Sequence, residues 1–252
     1  MKLMTKESSF ARLKASAYSA TLHKILLNLK ENTSAKIALT ILINTNKIYH
    51  TRQIFMIKIY IASINDIDLK RICEIDADRA CKADRLRLSE DKKRCVAGGL
   101  FIKKFLGDAK ISLNEFGKPT ADNGLHFNIS HSGEYVLFAL SDKEIGCDIE
   151  KSRKIEPEKL GKIVFCENEM NAIKKSADKQ QCFFDLWTRK ESLLKCIGKG
   201  FHQNSKSVDV SRQPCQVSEN IYYFRMWHKN GCTASVCSEY ENIPKNIEFI
   251  RL

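Results

Sequence analysis

The sequence lacks the signals that mark secreted, membrane-spanning and zinc-binding proteins. No stretch reaches the roughly 18 consecutive apolar residues of a membrane span, and the N-terminus lacks the charged, apolar and small-residue regions of a secretory signal. The ten cysteines show no C-x-x-C spacing, which argues against a zinc cluster and against a disulfide framework. We therefore expect a soluble, cytoplasmic protein with reduced thiols and no membrane partner.

Acidic residues are scarce only at the start of the chain. The formal net charge is +12, and residues 1–55 carry nine basic and two acidic side chains, which leaves a net charge of +5 for the remainder. Clustered Lys and Arg bind nucleic acid by releasing counterions from its phosphates. A basic nucleic-acid-binding module without catalysis is therefore the alternative to an enzyme. The absence of zinc-finger and aromatic RNA-binding signatures argues against a nucleic-acid partner.

Residues 1–55 also contain neither Gly nor Pro. Apolar residues between Phe10 and Leu29 fit one face of a helix, and the acid-poor composition is compatible with an organellar targeting segment. The alternating run Met56–Ala62 then predicts a strand, and its methionine would be a natural protein start. We interpret residues 1–55 as an appended basic segment that is poorly ordered or arises from a non-native start.

The remainder of the chain alternates helices with short strands. Charged and apolar residues interleave at helical spacing over Asp66–Leu106 and again over Glu158–Ile197. Short apolar runs separated by turn residues follow each of these helical regions and predict strands. The pattern indicates an α+β fold in two similar halves, residues 56–146 and 147–252.

Two carboxylates, Asp148 and Glu150, stand two residues apart in a predicted strand. Side chains with this spacing point to the same face of the strand. Hard oxygen ligands suit Mg²⁺, which commonly combines one or two carboxylates with substrate phosphates and water. Gly146 precedes the pair and would let another backbone or a ligand approach closely. A solvated acidic strand is the plain alternative, so the pair needs support from other segments.

Two further segments carry polar residues suited to phosphate chemistry. Glu191 and Lys195 lie four apart in a predicted helix and share a face, where a surface ion pair is the plain alternative. Trp187, in the same helix, is expected to belong to the core. His131 lies among hydroxyls and glycine at the end of a predicted strand, where small donors can receive a phosphate. The nucleophile-elbow sequence of hydrolases is absent.

The order of these segments resembles the successive motifs of the 4′-phosphopantetheinyl transferases, in particular the longer, Sfp-like form. The resemblance implies Mg²⁺-dependent transfer of the phosphopantetheine group of coenzyme A to a serine of an apo acyl or peptidyl carrier protein, with release of adenosine 3′,5′-bisphosphate. It also implies a monomer whose two α+β halves form a pseudo-dimer with the active site at their interface. The matching motifs are Gly117-Lys118-Pro119, Asn128–Gly133, Gly146–Glu150, and Trp187–Ser192 with Lys195.

The same resemblance implies roles for individual residues. Cys147 departs from the aliphatic residue often found there, and its strand direction predicts a buried packing role. The resemblance implies Asp148, Glu150 and Glu191 as metal ligands, Glu191 and Lys195 as catalytic groups, and Arg79, Lys82, Arg94, Lys118, Ser130 and His131 as contacts to coenzyme A.

A chain that starts at Met56 should fold and retain transferase activity, because residues 1–55 lie outside the resemblance. Soluble expression, circular dichroism and the transfer rate of the shortened and full-length chains would be compared. A shortened chain that is folded but inactive, beside an active full-length chain, would contradict the interpretation of residues 1–55 as an appended segment.

Overall fold

The computed structural model describes residues 57–199 and 205–252, so the predicted appended segment lies outside the described residues. Within them the chain forms two four-stranded sheets and a separate two-stranded hairpin, together with α-helices. The predicted α+β class is therefore confirmed. No helix in the described part of the chain is long and apolar enough to cross a membrane. All ten cysteines lie in the described ranges and are free thiols.

The first sheet has the strand order β10-β1-β5-β4. Strand β5 pairs antiparallel with β1 and β4, and the C-terminal strand β10 returns to pair parallel with β1. The core on this sheet is aromatic, and the rings of Phe101 and Phe138 stack with their centroids 5.1 Å apart. The elements are β1 (Lys58–Ser63), α1 (Ala77–Asp84), α2 (Ser89–Leu106), β2 (Ile111–Leu113), β3 (Pro119–Ala121), β4 (His126–Ser132), β5 (Tyr135–Ser141) and β10 (Glu248–Phe249), with 3₁₀ turns at Ile64–Asp66 and Leu69–Glu74.

The second sheet has the order β6-β9-β8-β7, and its neighbouring strands are antiparallel. The long helix α5 (Lys179–Ile197) packs on β6 (Ile145–Lys151) at Gly146, where an added Cβ would lie 2.0 Å from the carbonyl oxygen of Ser192. The predicted close approach at this glycine is thus confirmed. The elements are β6 (Ile145–Lys151), α3 (Pro157–Val164), α4 (Glu167–Lys175), α5 (Lys179–Ile197), β7 (Cys215–Val217), β8 (Asn220–Lys229) and β9 (Cys232–Ser238), with a 3₁₀ turn at Ser205–Ser207.

Side chains, rather than a backbone ladder, join β4 to β6. Three alternate polar residues of β4 accept hydrogen bonds from three alternate backbone amides of β6. Because these side chains take the place of strand carbonyls, they satisfy the amides on this edge of β6 and fix its register against β4. The bonds run from the Cys147 amide to Asn128 Oδ1 (2.9 Å), from the Ile149 amide to Ser130 Oγ (3.3 Å) and from the Lys151 amide to Ser132 Oγ (3.0 Å).

A buried ion pair holds the core beneath α5. Lys190 is 1% exposed, and its Nζ donates to Glu169 Oε2 at 2.6 Å. The same ammonium donates to the backbone carbonyls of Ser205 at 2.8 Å and Val208 at 2.9 Å. Lys190 therefore ties the chain that follows α5 to α4, although it neighbours the predicted catalytic Glu191 in sequence. A buried charge needs this full set of partners to be tolerated.

Replacing Asn128 with Ala should destabilise the protein, because the buried Cys147 amide would lose its acceptor. We expect the free energy of unfolding to fall by about 1–3 kcal/mol, the usual cost of an unsatisfied buried hydrogen-bonding group. Denaturant unfolding would measure the change. The control is Asn246→Ala at an exposed site, which should alter stability by less than about 0.5 kcal/mol. Equal effects of the two substitutions would contradict a structural role for the β4–β6 bonds.

Candidate active site

The site is a cleft of about 320 Å³ where β4, β6 and α5 meet. Strand β4 ends beside the acidic strand β6, and α5 lies across the face of β6 that bears the carboxylates. Ile129 and Trp187 form apolar parts of the wall. The cleft brings together six of the predicted site residues, Ser130, His131, Asp148, Glu150, Glu191 and Lys195.

Asp148 is the most buried acid of the cleft, with 4% of its surface exposed. Its Oδ1 accepts hydrogen bonds from Lys195 Nζ at 2.6 Å and from Ser130 Oγ at 2.8 Å. Its Oδ2 is buried and has no hydrogen-bond partner among the described residues. Burial raises the pKa of Asp148, and the Lys195 charge and the two hydrogen bonds offset part of that shift. An unpartnered buried carboxylate oxygen fits a site for a cation.

Glu150 lies two residues along the strand and is half-buried. Its Oε2 accepts hydrogen bonds from Ser132 Oγ at 3.1 Å and from Arg153 Nη1 at 3.3 Å. Ser132 thus orients Glu150 as Ser130 orients Asp148. Ser132 was not among the predicted site residues, although its spacing of two residues from Ser130 places it on the same face of β4.

Glu191 and Lys195 enter the cleft from α5 but do not form the surface ion pair that their spacing allows. Lys195 pairs instead with Asp148. Burial is the main cause of the raised pKa of Glu191; the Lys195 charge lowers this pKa, and the smaller effects of Asp148 and Glu150 raise it. Burial alone would lower the pKa of Lys195, but the Asp148 charge and hydrogen bond produce a net rise. Three carboxylates and one ammonium therefore line the cleft, and among them Lys195 contacts Asp148 directly.

The predicted basic contacts reach the cleft to different degrees. His131 lines it, and its pKa is lowered by partial burial of the ring and then by the charge of Arg94. Arg94 donates to the carbonyl oxygen of Gly133, in the turn that follows His131, and pairs with Asp91 at 2.8 Å. Lys82 is exposed on α1, and it is not among the residues that line the cleft.

Arg79 lies along two consecutive glycines of α2. A Cβ added at Gly98 would lie 3.0 Å from Arg79 Nη1 and 3.7 Å from Ile129 Cδ1. A Cβ at Gly99 would lie 2.8 Å from Arg79 Cδ. Because Ile129 lines the cleft, this packing places the Arg79 guanidinium near the cleft wall.

Lys118 lines a second cavity, of about 220 Å³, which shares Glu191 and Lys195 with the cleft. Its ammonium is nevertheless engaged by protein groups. It pairs with Glu144 and donates to the backbone carbonyl of Cys196 at 3.0 Å. Lys118 is therefore near the site without presenting a free charge to it.

Trp187 was expected to belong to the core, but it has a second position as part of the cleft wall. Its ring stacks on Phe183 with centroids 5.9 Å apart, and it also lines the cleft. The residue stands four positions before Glu191 on the same side of α5. An aromatic residue in an amphipathic helix is typical of a core position, so periodicity alone did not indicate this second role.

Another group of potential metal ligands lies outside the cleft in the described chain. Cys166, Glu169 and Asp209 offer atoms within 4.8 Å of one another. The carboxylates of this group are already used, because Glu169 binds Lys190 and Asp209 accepts from the Ser211 amide at 2.9 Å. Glu169 Oε2 also accepts from the Cys166 amide at 2.8 Å, as part of the cap of α4. We assign this group to stabilisation of the fold.

Comparison with known proteins agrees with the order of the motifs. The family model for the 4′-phosphopantetheinyl transferase superfamily matches residues 144–241. The chain is 40% identical over 182 residues to the 4′-phosphopantetheinyl transferase gsp of Aneurinibacillus migulanus, an alignment that covers 65% of this chain and 75% of the relative. It is 30% identical over 196 residues to the 4′-phosphopantetheinyl transferase Sfp of Bacillus subtilis (strain 168), covering 70% of this chain and 87% of the relative. The chain therefore belongs to the 4′-phosphopantetheinyl transferase family, of the Sfp-like type.

Proposed function

We propose that this cleft performs the reaction for which its family is named. The phosphopantetheine group of coenzyme A is transferred to a serine of an apo acyl or peptidyl carrier protein, and adenosine 3′,5′-bisphosphate is released. The observation that carries the proposal is the convergence of Asp148, Glu150, Glu191 and Lys195 on one cleft. Phosphoryl transfer depends chiefly on positioning and charge stabilisation, which such a group of residues supplies.

Asp148, Glu150 and Glu191 would hold Mg²⁺. The unpartnered Asp148 Oδ2 supports this assignment, because a buried carboxylate oxygen without a partner is costly. Burial is the main cause of the raised pKa of Glu191, and the nearby charges of Asp148 and Glu150 add to it, so a cation among the three carboxylates would relieve their repulsion. When bound, Mg²⁺ would neutralise charge on the pyrophosphate of coenzyme A.

The protein groups then have separate tasks in the transfer. The serine oxygen bonds to the β-phosphorus, and the bond from this phosphorus to the bridging oxygen breaks, so that the electron pair leaves with the adenosine bisphosphate. Glu191 accepts the serine proton, directly or through a water. Lys195 is held in place by Asp148 and Ser130 and stabilises negative charge on the transferred group.

Basic residues along the edge of the cleft would hold the phosphates of coenzyme A. His131 lines the cleft, and the packing of Arg94 and Arg79 supports their inclusion. Lys82 is exposed on α1, so its contact with a phosphate would be solvated and weaker than the contacts of the less exposed residues. The set is Arg79, Lys82, Arg94, Ser130 and His131. Lys118 is left out of it because its ammonium pairs with Glu144 and donates to the carbonyl of Cys196.

The position of the cleft supports the proposal of a pseudo-dimeric monomer. Strand β4 belongs to residues 56–146, whereas β6 and α5 lie almost wholly within residues 147–252. Side chains from both segments line the cleft, so neither segment alone would contain the complete site. An active site between two similar halves of one chain is the arrangement proposed here.

Mass spectrometry of apo carrier proteins tests the function directly. A panel of apo acyl and peptidyl carriers would be incubated with the full-length chain, coenzyme A and Mg²⁺. We expect at least one carrier to gain a single phosphopantetheine group on its serine. Absence of transfer to every carrier, with binding of nucleic acid in its place, would favour the alternative of a basic binding module.

The isosteric substitutions Asp148→Asn and Glu191→Gln should each remove most activity while leaving the protein folded, because each removes a proposed metal ligand. Turnover should fall by at least about tenfold to a hundredfold, because losses of that size in activity follow even from mutating residues that only hydrogen-bond to metal ligands. Transfer rates would be measured across a range of Mg²⁺ concentrations, and Mn²⁺ binding would be measured by electron paramagnetic resonance.

Glu219→Gln is the matched control, because Glu219 is an exposed carboxylate between β7 and β8. It should retain wild-type turnover and Mn²⁺ binding. If the folded Asp148→Asn protein bound Mn²⁺ as tightly as the wild type and turned over normally at limiting Mg²⁺, the metal-site assignment would be wrong.

A further inference from the structure

The turn between β2 and β3 closes over the C-terminal end of α5. The Lys118 side chain is 8% exposed, and its Nζ pairs with Glu144. The same ammonium donates to the backbone carbonyls of Cys196 at 3.0 Å and Ile145 at 3.3 Å. One buried cation thus joins the last turn of α5 to the start of β6.

A second residue of the turn binds the helix end without any charge. Asn114 Nδ2 donates to the backbone carbonyl of Gly198 at 3.1 Å. Asn114 Oδ1 accepts from the amides of Phe116 at 2.9 Å and Lys118 at 2.8 Å, so the same side chain also shapes the turn. The Asn114 side chain therefore binds the helix end through its nitrogen and the turn through its oxygen.

Gly198 fits this arrangement in two ways. It ends α5 in the left-handed conformation, with φ of 73°, and its amide donates to Leu194 O at 2.9 Å. A Cβ at this position would lie 2.8 Å from Lys118 Cδ, so the stem of the lysine packs directly against the glycine. A larger residue at position 198 would therefore clash with the Lys118 side chain.

The C-terminal end of a helix needs such partners, because its last four carbonyl oxygens receive no hydrogen bond from an N–H group of the same helix. A cation near this end also interacts favourably with the helix dipole. Glu191 and Lys195 lie on the last two turns of α5, immediately before the carbonyls that Lys118 and Asn114 bind. A displacement of the helix end would therefore move both groups relative to Asp148.

We propose that Lys118 and Asn114 are positioning residues, which fix the C-terminal end of α5 and so place Glu191 and Lys195 for the reaction. Lys118 acts through the helix and not on the phosphates of coenzyme A. To bind a phosphate, its ammonium would have to leave Glu144 and two carbonyl oxygens in an almost fully buried position. The inference rests on the proposed function for its catalytic consequence, but the contacts at the helix end stand without it.

The experiment compares Lys118→Met and Asn114→Asp with the control Lys110→Met. Lys110→Met removes the same charge from an exposed site just before β2. Asn114→Asp keeps the oxygen that shapes the turn and replaces only the donor to Gly198. We expect both test variants to lower kcat by about tenfold or more, because small misplacements of catalytic groups are costly. The KM for coenzyme A should change by less than about threefold, as expected when ground-state binding is retained.

Hydrogen exchange measured by mass spectrometry supplies a readout that does not depend on activity. In the free proteins, peptides covering residues 190–199 should exchange faster in both test variants than in the wild type and the Lys110→Met control. If Lys118→Met does not fold, the near-isosteric Asn114→Asp variant decides the question alone.

Two results would overturn the inference. The first is a raised KM for coenzyme A with unchanged kcat in Lys118→Met, which would show that Lys118 contacts the substrate. The second is unchanged exchange at residues 190–199 in both variants. A wild-type chain that modifies no carrier would instead contradict the proposed function, and the exchange measurement would still test the contacts at the helix end.

Discussion

The register between β4 and β6 is the constraint on which the rest of the site depends. Three side chains of β4, one carboxamide and two hydroxyls, serve as acceptors for the amides of β6, and both hydroxyls also donate to the carboxylates of Asp148 and Glu150. The bonds that join the two strands therefore also orient the acids. Because side chains alternate along a strand, a slip of one residue would turn both acids away from α5 and bring Cys147 and Ile149 in their place.

This arrangement places three carboxylates in a partly buried cleft. Burial and mutual repulsion raise the pKa of Glu191, and Asp148 keeps one oxygen without a partner. Such a site opposes stability, and the opposing contributions lie elsewhere in the chain. The stacked rings around Phe138 and the fully bonded Lys190 stabilise the two cores on which the cleft is built.

Local patterns were sufficient to predict the α+β class, the shared face of Asp148 and Glu150 and the close packing at Gly146, because each depends on spacing within one element. Residues whose role depends on contact between distant segments were not predictable in this way. The contacts of Lys118 show this limit, because the groups that its ammonium binds on Glu144 and Cys196 lie 26 and 78 residues away in sequence. The position of Trp187 in the cleft wall was not predictable for the same reason, because helical periodicity identifies an apolar residue but not a cleft beside it.

The contact at Gly146 has a consequence for selectivity. Backbone meets backbone there, so the spacing between the carboxylates of β6 and the residues of α5 is set by atomic radii and not by side chains that can adopt other rotamers. A close backbone contact of this kind restricts relative movement of β6 and α5. A site of fixed geometry would treat every acceptor serine alike, so we expect discrimination among carrier proteins to depend on the surfaces around the cleft.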